Sequence, residues 1–271
     1  MDRQALIKQI KLKKSCLCVG LDTDLTKIPK HLLEESDPIF AFNKAIIDAT
    51  AEYAIAYKPN MAFYEAYGLD GWQSLKKTID YLNKNYPDHF TIADAKRGDI
   101  GNTAARYAKA FFEELAFDSI TVAPYMGSDS VKPFMDFEGK WTIVLGLTSN
   151  EGAQDFQFTQ TGEQLLFEKV LEQVSTWGNP NNTMFVVGAT KAAFMKKVRA
   201  VVPNHFLLVP GVGAQGGTVT DVMEHASIPN DVGLLINASR SVIYASSGID
   251  FAEKAAESAE KLRMEISLFI Q

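Results

Sequence analysis

The 271-residue chain is 46% hydrophobic and 22% charged, proportions of a globular protein long enough to bury a substantial core. Its formal net charge of −6 argues against a nucleic-acid binder, which normally shows a basic face, but leaves room for a local phosphate site. No run approaches the roughly 20 apolar residues of a membrane span, and the charged stretch Met1–Lys14 lacks the apolar centre of a signal peptide, so a cytoplasmic protein is expected.

Met1–Lys14 reads as a short leading helix, placed to close the bottom of whatever follows. Short apolar runs then alternate with helical spacing: Cys16–Leu21, Ala54–Lys58, Thr91–Ala95, Ser119–Ala123, Trp141–Leu147, Met184–Val187, Phe206–Val209 and Gly233–Ile236, eight in all. Between them, Phe40, Ala45, Ile46 and Ala49 fit one helical face, Leu75, Ile79 and Leu82 a second, and Leu165, Leu166, Val170 and Val174 a third. Phe251–Phe269 reads as a final outer helix. Eight strand-helix units in about 250 residues suit a closed (β/α)8 TIM barrel with a short N-terminal helix. A doubly wound open sheet is the alternative, but no Gly-rich dinucleotide turn follows the first run. No linker or break in composition divides the chain, so a single domain over 1–271 is expected. Cys16 and Cys18, two apart on a strand, are poorly placed to bridge and read as free buried thiols of a reducing compartment.

In such a barrel the reactive groups gather where strands end, and polar residues fall there repeatedly. The first run ends at Asp22, the second at Lys58-Pro59-Asn60, the third at Asp94 and Lys96, and the fifth at Thr148-Ser149-Asn150. The seventh enters a glycine-rich segment, Pro210–Gly217, and the eighth ends at Asn237-Ala238-Ser239-Arg240. Each has a plain structural reading: Asp22 as a turn residue, Lys58 as a solvated lysine, Asp99 as a helix cap, the glycines as positive-φ positions. Their convergence on one end of the fold outweighs any one of these. Asp94 and Lys96, two apart, face one way on a strand, and burying both requires that they pair. A lysine between Asp94 and Asp99 stays protonated and can deliver a proton to a developing carbanion. Asp99 and Thr103, four apart, are expected on one face of a helix start. Backbone N–H groups of the glycine segment, with Arg240, suit a phosphate. No metal is expected: His31, His89, His205 and His225 are scattered and read as surface or packing residues, and Lys96 competes with any cation for Asp94 and Asp99. Neither a nucleophilic serine elbow nor an activated cysteine is present.

The string Asp94-Ala95-Lys96-Arg97-Gly98-Asp99-Ile100-Gly101-Asn102-Thr103 resembles the Asp-x-Lys-x-x-Asp core of the orotidine 5'-phosphate decarboxylase family, in the form of its longer bacterial subgroup. The likeness runs from Gly20-Leu21-Asp22 to Ser239-Arg240. It implies a cofactor-free lyase that converts orotidine 5'-phosphate to UMP in pyrimidine biosynthesis. It also implies roles: Lys96 as proton donor to C6, in an array with Lys58, Asp94 and Asp99; Asp22 and Lys58 on ribose hydroxyls; Ser149 on the pyrimidine edge and Pro210 against the base; Gln215 and Arg240 on the phosphate. Asp99, Ile100 and Thr103 are implied to reach the neighbouring site of a homodimer. Ser239 departs from the glycine that many relatives carry before the arginine. Gly152–Thr161 and the segment 211–217 are candidate covers. Two rivals share parts of the pattern. Sugar-phosphate decarboxylases and aldolases with a similar core use Mg²⁺, and a non-catalytic barrel that senses a phosphorylated ligand would keep the phosphate segment but not the charged array.

Overall fold

The computed structural model describes residues 1–212 and 216–270. Eight parallel strands close into a barrel: β1 (Leu17–Gly20), β2 (Ala56–Lys58), β3 (Phe90–Arg97), β4 (Ser119–Val122), β5 (Trp141–Leu147), β6 (Thr183–Val187), β7 (Phe206–Pro210) and β8 (Leu234–Ala238). Each pairs with the next, and β8 returns to β1 through Leu17 opposite Ile236 and Val19 opposite Ala238. All eight apolar runs are strands, with ends shifted by at most two residues, and closure excludes the open sheet. Parallel strands covered by helices are buried on both faces and therefore read as continuous apolar runs. A small antiparallel hairpin, Gln160–Thr161 with Gln164–Leu165, interrupts the path from β5 to its helix. Its first strand ends the segment Gly152–Thr161 expected to be a cover and its second lies beyond it; two-residue strands are too short to leave a periodic signal.

The helical faces need correction at two of three places. In the helix Pro38–Thr50, Asp37 caps Phe40 N–H at 3.0 Å and Pro38 takes the first turn. The buried face is Ile39, Phe42, Asn43, Ile46, Ile47 and Thr50; of the expected Phe40, Ala45, Ile46 and Ala49 only Ile46 is on it, and the other three are half-buried at its edge. The third helix starts at Leu166 with Leu165 as its N-cap and buries Phe167, Leu171 and Val174, so of the expected face Val174 is buried, while Leu165 and Val170 pack at its edge. Leu75, Ile79 and Leu82 are fully buried as expected. The leading helix, Arg3–Lys13, and the closing helix, Phe251–Ser267, are both present.

The two barrel ends are built differently. At the bottom, the first residues of β3, β5 and β7 (Phe90, Trp141 and Phe206) meet edge to face, with centroids 6.0 and 6.1 Å apart. This aromatic layer plugs the barrel. The leading helix covers it: Leu6 and Ile10 are fully buried, Arg3 lies over the Phe206 ring, and Lys13 Nζ donates to the carbonyls of Ala51 and Ala54 below β2. The top is left polar. Cys16 and Cys18 are free and buried inside, where loss of solvation pushes both thiols up to about 12. Among the described residues no helix is long and apolar enough to cross a membrane.

Candidate active site

Asp22, Lys58, Asp94, Pro210 and Arg240 line one cavity at the top of the barrel, together with Asn60, Gly211, Val212, Asn237 and Ser239. Asp22 follows β1. Lys58 ends β2, where its backbone carbonyl accepts Leu21 N–H at 3.1 Å and ties the two strand ends together. Tyr244 Oη donates to the Asp22 carbonyl at 2.9 Å and accepts Asp24 N–H at 2.8 Å. Tyr64 Oη donates to the Leu21 carbonyl and accepts from Asn43, which in turn accepts from Thr23. This buried network fixes the turn that carries Asp22. Its tyrosines lie far away in the chain, and their spacing gives no sign of the role.

The charges alternate from the cavity wall outward to Lys96, which is not among the residues that line it. Lys58 Nζ lies 4.0 Å from Asp22 Oδ1 and 3.1 Å from Asp94 Oδ2, and Lys96 Nζ lies 2.6 Å from Asp94 Oδ1. Lys58 is 4% exposed. Burial alone lowers its basicity, yet the carboxylates of Asp94 and Asp22 outweigh that and hold it above the ordinary lysine value. Burial likewise raises the Asp94 carboxyl, and the ammonium groups of Lys58 and Lys96 reverse the effect and hold it well below the usual carboxylate range. Half of the Lys96 side chain stays open to solvent, so this ammonium can meet a ligand. Asp22 Oδ1 and Asn237 Oδ1 are buried acceptors with no hydrogen-bond partner.

Asp94 and Lys96 do share a side, but not because β3 is regular. Ala93 pairs with Ile120 and Arg97 with Val122, so Asp94, Ala95 and Lys96 stand opposite Thr121 alone. Lys96 has φ +48°, in the left-handed region, and the strand bulges there. The Thr121 hydroxyl accepts Lys96 N–H at 2.9 Å and donates to Asp94 Oδ1 at 3.0 Å.

Asp99 is not part of this array within one chain. No ion pair within 4.0 Å joins it to Lys96 among the described residues, and its Oδ1 instead accepts the neighbouring Ile100 N–H at 2.7 Å. The following helix runs Gly101–Lys109 with Ile100 as its N-cap. Asp99 therefore precedes the helix, is not its cap, and does not share a helical face with Thr103. Ile100 is 51% exposed and Thr103 is exposed, so neither turns into its own barrel.

Ser149, after β5, is half-buried and does not line the cavity that holds Lys58. A Cβ on Gly188, at the end of β6, would come within 2.8 Å of the Ser149 backbone, so that glycine lets the two loops pass. Gln215 lies outside the described residues. Gly211 and Gly216 have φ of +98° and +90°, as their turn reading requires, whereas Gly217 packs where a Cβ would strike Ala189. Arg240 is exposed at the cavity rim. Ser239 fits because Gly20 has no side chain: a Cβ there would sit 1.8 Å from its hydroxyl. That hydroxyl accepts Asn237 Nδ2–H at 3.3 Å. Asn60 caps Ala62 N–H through its side chain, and the exposed Asn150 accepts the Thr148 hydroxyl. Among the described residues no group of three or more His, Cys, Asp or Glu is placed to hold a metal ion.

The model of the orotidine 5'-phosphate decarboxylase / HUMPS family matches residues 15–257. An orotidine 5'-phosphate decarboxylase of Flavobacterium johnsoniae is 61% identical over 270 residues, covering 100% of this chain and 98% of the relative. One from Phocaeicola vulgatus is 58% identical over 267 residues, with 98% of each chain covered. Among solved structures, the OMP decarboxylase of Leishmania donovani superposes with a TM-score of 0.80 at 35% identity, covering 97% of this chain and 99% of that one.

Proposed function

The chain belongs to the orotidine 5'-phosphate decarboxylase / HUMPS family, and we propose that it converts orotidine 5'-phosphate to UMP and CO2 with Lys96 as the acid that protonates C6. The observation that carries this reading is the run of alternating charge Asp22–Lys58–Asp94–Lys96 across the ends of β1, β2 and β3. In the reaction the bond from C6 to the carboxylate breaks, CO2 leaves, and the electron pair stays on C6. That carbon has little means of spreading the charge. A fixed ammonium beside it stabilises the pair as it forms and then transfers a proton to it, leaving a neutral amine that regains a proton from water. Asp94 holds both lysines in place and, with Asp22, keeps Lys58 charged. Because both its oxygens are already engaged by lysines, the array needs no reorganisation when the bond breaks.

Binding follows from the same wall. Asp22 Oδ1 lacks a donor, and a ribose hydroxyl supplies one, with Lys58 beside it. Pro210 offers a flat apolar surface for the base, Ser149 a hydroxyl for its edge, and Arg240 with Gln215 cations and donors for the phosphate. A phosphate remote from the breaking bond lends binding energy that can order the array. Asp99, Ile100 and Thr103 complete the neighbouring site in a homodimer. The exposure of Ile100 and Thr103 and the absence of an Asp99–Lys96 ion pair within 4.0 Å among the described residues support that arrangement. The buried free thiols accord with a reducing cytoplasm.

The test is direct. The purified protein, incubated with orotidine 5'-phosphate and EDTA, is expected to remove the orotate absorbance and release UMP. Loss of activity in EDTA would favour the Mg²⁺-dependent sugar-phosphate class. Binding of the nucleotide without turnover would favour a sensor.

A further inference from the structure

We propose that Thr121, which the catalytic reading leaves without a role, is the positioning residue that sets the Asp94–Lys96 pair; this rests on the decarboxylase reading of that pair. A strand bulge leaves its extra residues without ladder partners. Here three residues of β3, Asp94 to Lys96, face one residue of β4, Thr121. A side-chain hydroxyl, in place of a ladder carbonyl, accepts Lys96 N–H at 2.9 Å. The same hydroxyl lies 3.0 Å from Asp94 Oδ1.

The direction of both bonds is fixed by chemistry. A backbone N–H only donates and a carboxylate only accepts. The hydroxyl must therefore take the Lys96 amide proton on its lone pair and point its own proton at Asp94. Thr121 is 1% exposed, so water does not compete for either position. One side chain thus holds the backbone of the proton donor and the carboxylate that pairs with it. The left-handed Lys96, φ +48°, needs such a hold, because a non-glycine residue in that region is strained. Without it the strand can relax toward regular pairing, which moves the ammonium away from Asp94 Oδ1. Thr121 touches no reacting atom in this account; it acts through the other two.

The experiment compares Thr121→Val, which keeps the shape and removes both bonds, with Thr121→Ser, which keeps both. For each, the purified enzyme is assayed for kcat on orotidine 5'-phosphate and for the Kd of UMP, and folding is checked by thermal unfolding. Thr121→Val is expected to lose roughly 10- to 100-fold in kcat, the scale for removing a buried hydrogen bond to a charged group, while UMP binds within about threefold of the original protein, since the ribose and phosphate contacts are untouched. Thr121→Ser is expected to retain kcat within about threefold. A Thr121→Val protein with unchanged kcat would overturn the proposal. So would a folded Thr121→Ser protein as slow as Thr121→Val, or a loss of UMP binding that matches the loss of kcat. If Thr121→Val does not fold, Thr121→Ala replaces it with the same expected split. Absence of turnover by the unaltered protein would instead refute the decarboxylase reading, so the two failures are separate.

Discussion

Lys58 at the top of the barrel and Lys13 at its bottom are both drawn out of water, yet they respond in opposite ways. Lys13 Nζ lies against the carbonyls of Ala51 and Ala54 and against His89 Nε2, at 2.7, 3.0 and 2.8 Å. Burial dominates there and lowers its basicity to about 8, with Asp88 and Glu52 opposing only in part. Its neighbour His89 follows the same rule, lowered first by burial and then by the charge of Lys13; elsewhere at the bottom, burial, then Arg3 and Arg199, press His205 down to about 4. Lys58 is more deeply buried but has two carboxylates within 4.0 Å, and its charge is strengthened. Desolvation favours the neutral form wherever it acts, and only opposite charge at contact distance reverses it. The bottom of the barrel uses its polar groups to fasten a helix. The top spends stability to keep charge ready for a ligand.

The largest effect that can break this contrast comes from mixing subunits. Lys96→Ala and Asp99→Ala proteins are each expected to be inactive in decarboxylation. If Asp99 serves the neighbouring barrel, equal mixing with subunit exchange restores one intact site in each mixed dimer, about one quarter of the original activity. A mixture that stays inactive, with exchange verified, places the whole array in one chain. Next in size is Asp94→Asn, which strips Lys58 of its nearer counter-charge and gives it the surroundings of Lys13. Stability near neutral pH is expected to fall by about 3 kcal/mol, the scale for orphaning a buried charge, as measured by urea unfolding. A variant as stable as the original would show that burial, not pairing, governs the top as well.

The smallest effect is expected at the bottom. With a folded value of about 8 and an ordinary value of 10.5, Lys13 is protonated more in the unfolded chain than in the folded one between those pH values. Its contribution to stability therefore rises with pH across that window, by less than about 1.4 kcal/mol per pH unit because the site is only partly enclosed. Lys13→Met is expected to remove this rise and to leave decarboxylation unchanged, as checked by unfolding at pH 7, 8, 9 and 10.

The contrast also separates what the chain reveals from what it hides. All eight strands are legible because each is a short, largely apolar run, and six of them end in polar residues or the glycine-rich segment. Asp22, Lys58, Asp94, Pro210 and Arg240 are legible for the same reason, and the structure brings them to one cavity. The outward turn of the helix Pro38–Thr50 is not, because Phe40 and Phe42 fit two different stripes and only packing chooses between them. The bulge at Lys96 is also hidden. A regular strand and a bulged one place Asp94 and Lys96 on the same side, so spacing cannot tell them apart. A faint signal did exist: Ser119 and Thr121, two apart, put hydroxyls on one face of an otherwise apolar strand, and both bond to β3. The network of Tyr64, Tyr244 and Asn43 beneath Asp22 left no such trace, since its members are scattered over some 200 residues of chain.

The proposed proton exchange between Lys96 and C6 can be read without decarboxylation. By microscopic reversibility, an acid that protonates C6 of the product also removes that proton as a base. UMP is held in D2O with the enzyme, and the hydrogen at C6 is followed by proton NMR. Slow replacement by deuterium is expected with the unaltered protein and none above background with Lys96→Ala, although both bind UMP. Equal exchange by the two proteins would contradict it.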